Sequence, residues 1–215
     1  DFDATKDKIV QTIKYGAQHK GVPFAVFKVT GIARFALLEK YSEGHAFSEF
    51  ETRAWTRVKN RVEEICYTAN KFGLKVLIDA EETWIQPAID ELSHEMMERF
   101  NTKYSTVYNT LQMYRVDRLA YLKESLATAK EKNYHLGVKL VRGAYMEKER
   151  QRAKEKGYKD PIQPSKEASD QCFNNGLAFV VENIEQMSLV AGTHNEASSF
   201  YLAELMEQAE LPKDD

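Results

Sequence analysis

The stretch Lys139–Tyr145 (KLVRGAY) combines residue types that suit a binding site for an anionic ligand. Two cations, Lys139 and Arg142, alternate with apolar residues, and two small residues and one aromatic residue follow them. A basic strand end that leads into a helix N-terminus suits phosphate or pyrophosphate, because the cations and the backbone N–H groups favour negative charge there. An ordinary strand-to-helix turn explains the same residues equally well.

Lys28 and Asp79 each place a charge at an apolar, strand-like run. Lys28 lies inside the run FAVFKVT, where a buried ammonium would need an anionic partner or ligand, unless the side chain extends outward. Asp79 follows three apolar residues, so that its carboxylate could accept from a substrate ammonium or cap a helix. Glu81 and Glu82 are expected in the first turn of the next helix, where acidic side chains are favoured.

Gln112 and Thr193–Asn195 place polar groups at two more apolar runs. A histidine such as His194, taken alone, is more often a hydrogen-bonded structural residue than a functional one. The five histidines have no metal-ligand spacing, so no metal site is predicted. The motifs GxGxxG, GxxxxGK[ST] and GxSxG are absent from the sequence, which argues against a Rossmann cofactor site, a P-loop and a hydrolase elbow.

Five short apolar runs alternate with long amphipathic segments along the chain. The runs mostly lack strict polar–apolar alternation, which is typical of parallel strands buried on both faces. The predicted strands are Phe24–Thr30, Lys75–Asp79, Thr106–Tyr114, Gly137–Arg142 and Ser188–Thr193. Repeated βα units predict an α/β fold with a parallel sheet, either doubly wound or closed into a barrel. Since ligands bind at the carboxyl ends of such strands, we expect the polar residues to converge there.

Capping signals predict where the helices begin and end. Roughly the first 20 residues form one helix, and the two long intervals between strands leave room for an extra helix each. The predicted boundaries are a capping box at Ser48–Glu51, a helix end at Gly73, an N-cap at Asp117 for Arg118–Lys132, a break at Gly157 after Met146–Lys156, a helix start near Ser165, and an N-cap at Asn195 for a last helix with no clear stop before Lys213.

Composition narrows the class of protein. The net charge is −3, so the chain has no large positive electrostatic potential to attract a polyanion, and a nucleic-acid partner is not predicted. Cys66 and Cys172 are expected to be small buried residues rather than a disulfide, consistent with a reducing compartment. No run of about 18 apolar residues occurs, and we expect neither a membrane-spanning helix nor a signal peptide.

Four segments together resemble the proline dehydrogenase family. They are LIDAEE at Leu77–Glu82, KLVRGAY at Lys139–Tyr145, THN at Thr193–Asn195 and GYKDPI at Gly157–Ile162, and the resemblance extends from about Phe24 to Ser199. It implies a distorted (β/α)₈ TIM-type barrel with FAD at the carboxyl ends of the strands. It also implies that the chain holds about five of eight βα units, with residues 1–22 as an N-terminal helix leading into the barrel and residues 23–215 as an incomplete barrel catalytic domain. The paired arginines that bind the proline carboxylate in the family would lie outside these residues, since no Arg-Arg pair occurs here.

The resemblance also implies roles for individual residues. Asp79, beside the proline site, and Lys139, which would donate to flavin N5, take the catalytic positions. Lys28 and Tyr145 take substrate-binding positions. The cofactor-binding positions are Ala80, Gln112, Arg142, Gly143, Ala144, Thr193, His194 and Asn195.

The implied reaction is the oxidation of L-proline to Δ1-pyrroline-5-carboxylate, by hydride transfer from proline C5 to flavin N5, with electrons passed to a membrane quinone. The implied location is the cytoplasm or the periphery of the bacterial inner membrane, or the mitochondrial inner membrane or matrix in a eukaryote. Two alternatives stay open: a barrel enzyme that binds a phosphorylated substrate without flavin, and a non-catalytic protein with the same fold.

Overall fold

A computed structural model describes residues 1–212, which contain eight α-helices, five β-strands and one short 3₁₀ helix. The helices are α1 (Phe2–Gly16), α2 (Phe35–Ser42), α3 (Glu49–Phe72), α4 (Gln86–Phe100), α5 (Arg118–Lys132), α6 (Met146–Lys156), α7 (Lys166–Glu182) and α8 (Glu196–Gln208). The strands are β1 (Phe24–Phe27), β2 (Lys75–Ile78), β3 (Val107–Gln112), β4 (Leu136–Val141) and β5 (Met187–Gly192), and the 3₁₀ helix is Val29–Gly31.

The five strands form one sheet in the order β1-β2-β3-β4-β5. β1 pairs with β2 in parallel with Phe24 opposite Lys75, and β2 pairs with β3 in parallel with Val76 opposite Val107. All six residues of β3 are buried, as expected for a parallel strand covered on both faces. The predicted α/β class with alternating helices and parallel strands is therefore confirmed. Within residues 1–212 the sheet has β1 and β5 as its edges, and its strand order is that of successive units of a (β/α)₈ barrel.

The two strands that carry Lys28 and Asp79 are shorter than predicted. β1 ends at Phe27, so Lys28 lies in the turn that leads into the 3₁₀ helix, and its side chain is exposed. Of the alternatives that the sequence left open, the side chain that extends outward is the one observed, because the strand ends before Lys28 and the turn carries it out of the core. β2 ends at Ile78, and Asp79 is half-buried in the loop that follows.

Most predicted helix boundaries are confirmed. Ser48 and Glu51 form the capping box, and Gly73 ends α3 in the left-handed conformation with φ 70°. The two long intervals hold the extra helices α2 and α7, the second capped by Ser165. Such boundaries depend on contacts between residues three or four positions apart, which a short sequence window contains.

The expectation for Glu81 and Glu82 is wrong. Helix α4 begins at Gln86 with Ile85 as its N-cap, so both glutamates precede the helix by several residues. They are buried, with 3% and 5% of their surface exposed. The same boundary rules out Asp79 as the N-cap of α4. The last helix also ends earlier than expected, at Gln208.

The chain divides into two compact units. The first comprises Asp1–Asn109 and Asn133–Gly137, and the second comprises Thr110–Lys132 and the described residues from Val138 onward. The core of the first unit includes one stripe of α3, whose members recur at helical spacing: Val58, Val62, Ile65, Cys66 and Ala69. The burial of each large aliphatic side chain of this kind contributes about 1.5–3 kcal/mol to stability.

The core of the second unit includes the matching stripe of α7, which consists of Cys172, Phe173, Gly176, Leu177, Val180 and Val181. Cys66 and Cys172 are both free and buried, as expected. Among residues 1–212, none of the helices has the length and apolar character needed to cross a membrane.

Candidate functional site

The candidate residues fall into two groups, one in each unit. The Asp79 group, in the first unit, consists of Lys28, Asp79 and Ala80. The Arg142 group, in the second unit, consists of Gln112, Lys139, Arg142, Gly143, Ala144, Tyr145, Thr193, His194 and Asn195. Each member lies in the carboxyl-terminal half of a strand or in the segment that follows it.

The backbone holds Asp79 beside the end of β1. The Asp79 N–H donates to the Phe27 carbonyl at 2.9 Å, which extends the β1–β2 ladder by one bond and places Lys28 and Asp79 at the end of the same strand pair. Ala80 is buried, with 8% exposed. Within this group, an exposed ammonium and a half-buried carboxylate therefore follow neighbouring strands.

Glu81 ties the loop after β2 to the turn after β1. One carboxylate oxygen accepts the Thr30 N–H at 3.0 Å, and the other accepts the Thr30 hydroxyl. Burial raises the pKa of Glu81, although the two Thr30 hydrogen bonds and the charge of Lys28 oppose that shift. The sequence pattern placed Glu81 in the wrong element, although Pro87 was a signal: proline favours the first turn of a helix, which places the start of α4 well after Glu81.

A chain of buried amide and carboxylate groups fixes the other end of the same loop. The Glu81 N–H donates to Gln86 Oε1 at 2.9 Å, and Gln86 Nε2 donates to Asp90 Oδ1 at 2.8 Å. Asn109 Nδ2 donates to the same Asp90 oxygen at 2.9 Å. Because a buried polar group without a partner costs about 1–3 kcal/mol, these bonds hold the loop that carries Asp79 in one conformation.

In the second unit, two side chains at the end of β3 hold the turn between β4 and α6. Gln112 Oε1 accepts the Ala144 N–H at 3.0 Å, and the Tyr114 hydroxyl oxygen accepts the Tyr145 N–H at 3.2 Å. Gly143, directly before Ala144, has φ 144°, and a Cβ there would lie 2.5 Å from the Tyr114 ring. Close packing on Tyr114 therefore requires glycine at this position, independently of any ligand.

Arg142 is held on three sides by side chains of the protein. Its guanidinium donates to Thr193 Oγ1 at 2.7 Å, to Ser198 Oγ at 2.9 Å, and to Asp170. The guanidinium carbon also lies 4.5 Å from the centre of the Phe173 ring. The cation thus joins the end of β4 to α7 and to the segment around the start of α8.

Asp170 is the counter-charge of Arg142 and also accepts a hydrogen bond from Lys166. The Lys166 and Arg142 hydrogen bonds hold the pKa of Asp170 below its ordinary value against the effect of partial burial. The sequence offered no signal for this pair, since Asp170 lies four positions after Lys166 and resembles one half of a surface i,i+4 pair.

The remaining residues of the Arg142 group are divided between structural and accessible positions. Thr193 accepts the Asn195 N–H at 3.0 Å, and Asn195 caps α8 by accepting the Ser198 N–H at 3.0 Å. His194, between them, is exposed, and Lys139 in β4 is half-buried. The THN motif therefore uses its first and third residues to build the turn and presents the second to solvent.

An open cavity of about 390 Å³ lies over the first turn of α6 and is lined by Gly143–Lys148. The positive end of the α6 dipole favours negative charge there, while Glu147 opposes it. Lys139 lies in β4, and Arg142 directly follows that strand. The helix N-terminus, Lys148 in the lining and the open space fit a phosphate-bearing ligand.

The fold and these two groups define an α/β protein with polar residues at the carboxyl ends of parallel strands, the usual position of an active site in this class. The family model described as "Proline dehydrogenase" matches residues 1–215, and the chain belongs to the proline dehydrogenase family. Proline dehydrogenases are in general flavin-dependent.

Similar proteins agree with this assignment. The chain is 32% identical over 199 residues to the carbapenem antibiotics biosynthesis protein CarD of Pectobacterium carotovorum subsp. carotovorum, covering 92% of this chain and 51% of CarD. It is 34% identical over 168 residues to mitochondrial proline dehydrogenase 1 of Homo sapiens, covering 77% of this chain and 28% of the human protein. The chain thus spans about half the length of CarD and about a quarter of the human enzyme.

Solved structures share the fold. The structure of proline utilization A (PutA) from Bdellovibrio bacteriovorus, inactivated by N-propargylglycine, superposes with a TM-score of 0.83 at 18% identity. The match covers 99% of this chain and 23% of that one. The proline dehydrogenase domains of PutA proteins are TIM-barrel-like, and the five βα units described above fit part of such a barrel.

Proposed function

We propose that the protein to which this chain belongs oxidises L-proline to Δ1-pyrroline-5-carboxylate, the first step of proline catabolism, with FAD as cofactor. The supporting observation is that LIDAEE, KLVRGAY and THN, in a chain matched throughout by the family model, each lie at the carboxyl end of a strand: β2, β4 and β5.

The Asp79 group would bind the substrate. Proline carries an ammonium and a carboxylate, and opposite charges attract over a few ångströms in a partly desolvated site. The Asp79 carboxylate would attract the amine end, and the exposed Lys28 ammonium would attract the carboxylate end. The family resemblance also assigns Tyr145, half-buried at the start of α6, to substrate binding.

The Arg142 group would hold the cofactor. A bound flavin supplies the electron acceptor for oxidation of the amine. Lys139 would present its ammonium where negative charge develops, as a compact point charge rather than a planar fork. Arg142 would act as a fixed cation for the phosphates, since Asp170, Thr193 and Ser198 already orient it. The family resemblance assigns further cofactor contacts to Ala80 in the first unit and to Gln112, Gly143, Ala144, Thr193, His194 and Asn195 in the second.

The electron acceptor is proposed to be a membrane quinone, reached by peripheral association with a membrane. Relatives named as mitochondrial proline dehydrogenases support a mitochondrial location if the source is a eukaryote. In a bacterium the proposed location is the cytoplasm or the inner-membrane periphery.

The first test uses the protein as it is encoded in its organism, purified with its cofactor. A bound flavin gives an absorption band near ~450 nm, and proline should bleach that band without oxygen. No band, together with tight binding of a phosphorylated metabolite, would favour the flavin-free barrel enzyme. A band that proline leaves unchanged would favour a non-catalytic protein.

The second test changes the proposed catalytic residues one at a time. Asp79→Ala and Lys139→Ala should each lower proline turnover more than about tenfold, in the range that one positioned charge contributes to catalysis. Asp7→Ala and Lys8→Ala, on the outer face of α1, are matched controls and should keep wild-type rates. Wild-type rates in both site variants would remove the assigned roles.

A further inference from the structure

Glu81 occupies an unusual position for a carboxylate. It is 3% exposed, and both of its oxygens accept hydrogen bonds from a single residue, Thr30. The two partners are 51 positions apart in the chain. Within residues 1–212, this is a long-range link between the two segments that carry the proposed substrate-binding charges.

Thr30 lies two positions after Lys28, in the 3₁₀ helix, while Glu81 lies two positions after Asp79. A bidentate contact between Thr30 and Glu81 therefore limits how the Lys28 turn can move against the Asp79 loop. Proline is short and rigid, so the distance between its carboxylate and its amine is nearly constant. Two charges that recognise both ends must keep a matching separation, and a small displacement weakens binding strongly.

The Glu81 side of this link is independently fixed. The Glu81 N–H donates to Gln86 Oε1, and the Asp79 N–H donates to the Phe27 carbonyl. The Lys28 side is a single 3₁₀ turn of three residues, closed by the hydrogen bond from the Gly31 N–H to the Lys28 carbonyl at 3.1 Å. The Thr30–Glu81 contact therefore ties this short turn to a loop that is already fixed.

We infer that Glu81 is a positioning residue for substrate binding, which through Thr30 sets the place of Lys28 relative to Asp79. The inference rests on the proposed function, since it assigns the two charges to the two ends of proline. Glu81 itself acts through geometry and not through contact with the substrate.

Conservative substitutions separate geometry from charge. In Glu81→Gln the amide oxygen can still accept the Thr30 N–H, and the amide nitrogen can donate to the Thr30 hydroxyl oxygen. The link persists without its charge. Glu81→Ala removes both bonds, and Thr30→Val removes only the hydroxyl bond while keeping the shape of the side chain. Thr12→Val is the matched control, because it deletes a hydroxyl bond to the Lys8 carbonyl on the exposed face of α1.

The experiment measures KM and kcat for proline, and inhibition constants for two fragments of proline, in the purified flavin-bound protein. Cyclopentanecarboxylate has the ring and the carboxylate without the amine, and pyrrolidine has the amine without the carboxylate. Thr30→Val and Glu81→Ala should raise KM and the cyclopentanecarboxylate inhibition constant at least fivefold, with kcat and pyrrolidine inhibition within twofold of wild type. Glu81→Gln and Thr12→Val should stay within twofold of wild type throughout.

Three results would overturn the inference. Glu81→Gln as impaired as Glu81→Ala would show that the charge acts directly. A folded, flavin-bound Thr30→Val with wild-type KM would show that the link is not used, and this milder variant decides the question if Glu81→Ala does not fold. A wild-type protein that binds both fragments but does not oxidise proline would refute the proposed function, and the inference with it.

Discussion

Glu81 in the first unit and Arg142 in the second both join segments at the ends of strands, but with opposite charges and different surroundings. Glu81 is nearly fully buried; it accepts hydrogen bonds from the neutral N–H and hydroxyl of Thr30, and the charge of Lys28 also acts on it. Arg142 is partly exposed, with 23% of its side chain accessible, and it is paired with the Asp170 carboxylate. Hydrogen bonds from neutral groups fix the position of a charged side chain without neutralising its charge. An ion pair fixes the position and neutralises the charge.

The pKa shifts show the consequence of this difference. Burial raises the pKa of Glu81, so the fold disfavours its charged form. Hydrogen bonds from Lys166 and Arg142 lower the pKa of Asp170, so the fold favours the charged form of Arg142's partner. The Glu81 link is thus expected to hold by geometry and the Arg142 link by charge, which the following substitutions test.

Of these substitutions, Arg142→Met should lower the free energy of unfolding the most. It removes three hydrogen bonds and leaves Asp170 without its guanidinium partner, which should lower the free energy of unfolding by about 2–3 kcal/mol after allowance for partial exposure. Arg142→Lys, which keeps the charge but loses the fork, should cost less. Urea unfolding measures both. A loss below about 0.5 kcal/mol for Arg142→Met would show that the Arg142 contacts do not stabilise the second unit.

Gly143→Ala should cause the second-largest loss of stability. The added Cβ would meet the Tyr114 ring at 2.5 Å, at a φ of 144° that side chains rarely adopt, so a loss of about 1–3 kcal/mol is expected. Gly31→Ala in the first unit is the matched control, since its Cβ would meet only Thr5 at 3.8 Å. Thermal unfolding of both variants makes the comparison. Equal effects at the two glycines would contradict the role of the Tyr114 contact.

The smallest expected effects concern the pH dependence of the free energy of unfolding, to which one carboxyl group in each unit should contribute with opposite sign. Glu81, with its raised pKa, contributes stability below its ordinary pKa that is lost as pH rises through the folded value. Asp117 in the second unit accepts from Arg115 and Arg118, and these partners lower its pKa to about 2 against the effect of burial. Its contribution is present above its ordinary pKa of 3.8 and is lost as pH falls towards about 2.

Urea unfolding across pH 2 to 8 checks this contrast. Glu81→Gln should gain stability relative to wild type as pH rises above the ordinary glutamate range of about 4.3. Asp117→Asn should lose its disadvantage as pH falls below about 4. Parallel pH profiles for the wild type and both variants would refute the opposite signs.

Residues near each other in sequence were predicted well. The Ser48–Glu51 capping box, the left-handed Gly73 and the Asn195 cap each depend on neighbours within five positions, so a short window contains the whole interaction. The apolar runs also indicated all five strands, because parallel strands covered on both faces need nearly continuous apolar side chains. The strand ends were predicted less well: β1 was expected to reach Thr30 but ends at Phe27, so Lys28 lies in a turn.

The candidate site was only partly accessible to the same reasoning. Motif resemblance selected Asp79, Lys139 and Arg142, but their assigned roles remain predictions. Glu81 was misplaced, because an acidic residue after a strand suits both a helix start and a buried loop. Asp170 was not considered, because a carboxylate four positions after a lysine is ordinary on a helix surface.

The sequence by itself determined the order and type of the elements, their caps and the family, since these follow from local spacing and from short motifs. Tertiary structure alone decided which charges are buried and what they hold. Thr30 and Glu81 are 51 positions apart, as are Arg142 and Thr193, and only folding brings each pair within hydrogen-bonding distance. Burial then sets the free-energy difference between charged and neutral forms, which no local pattern specifies.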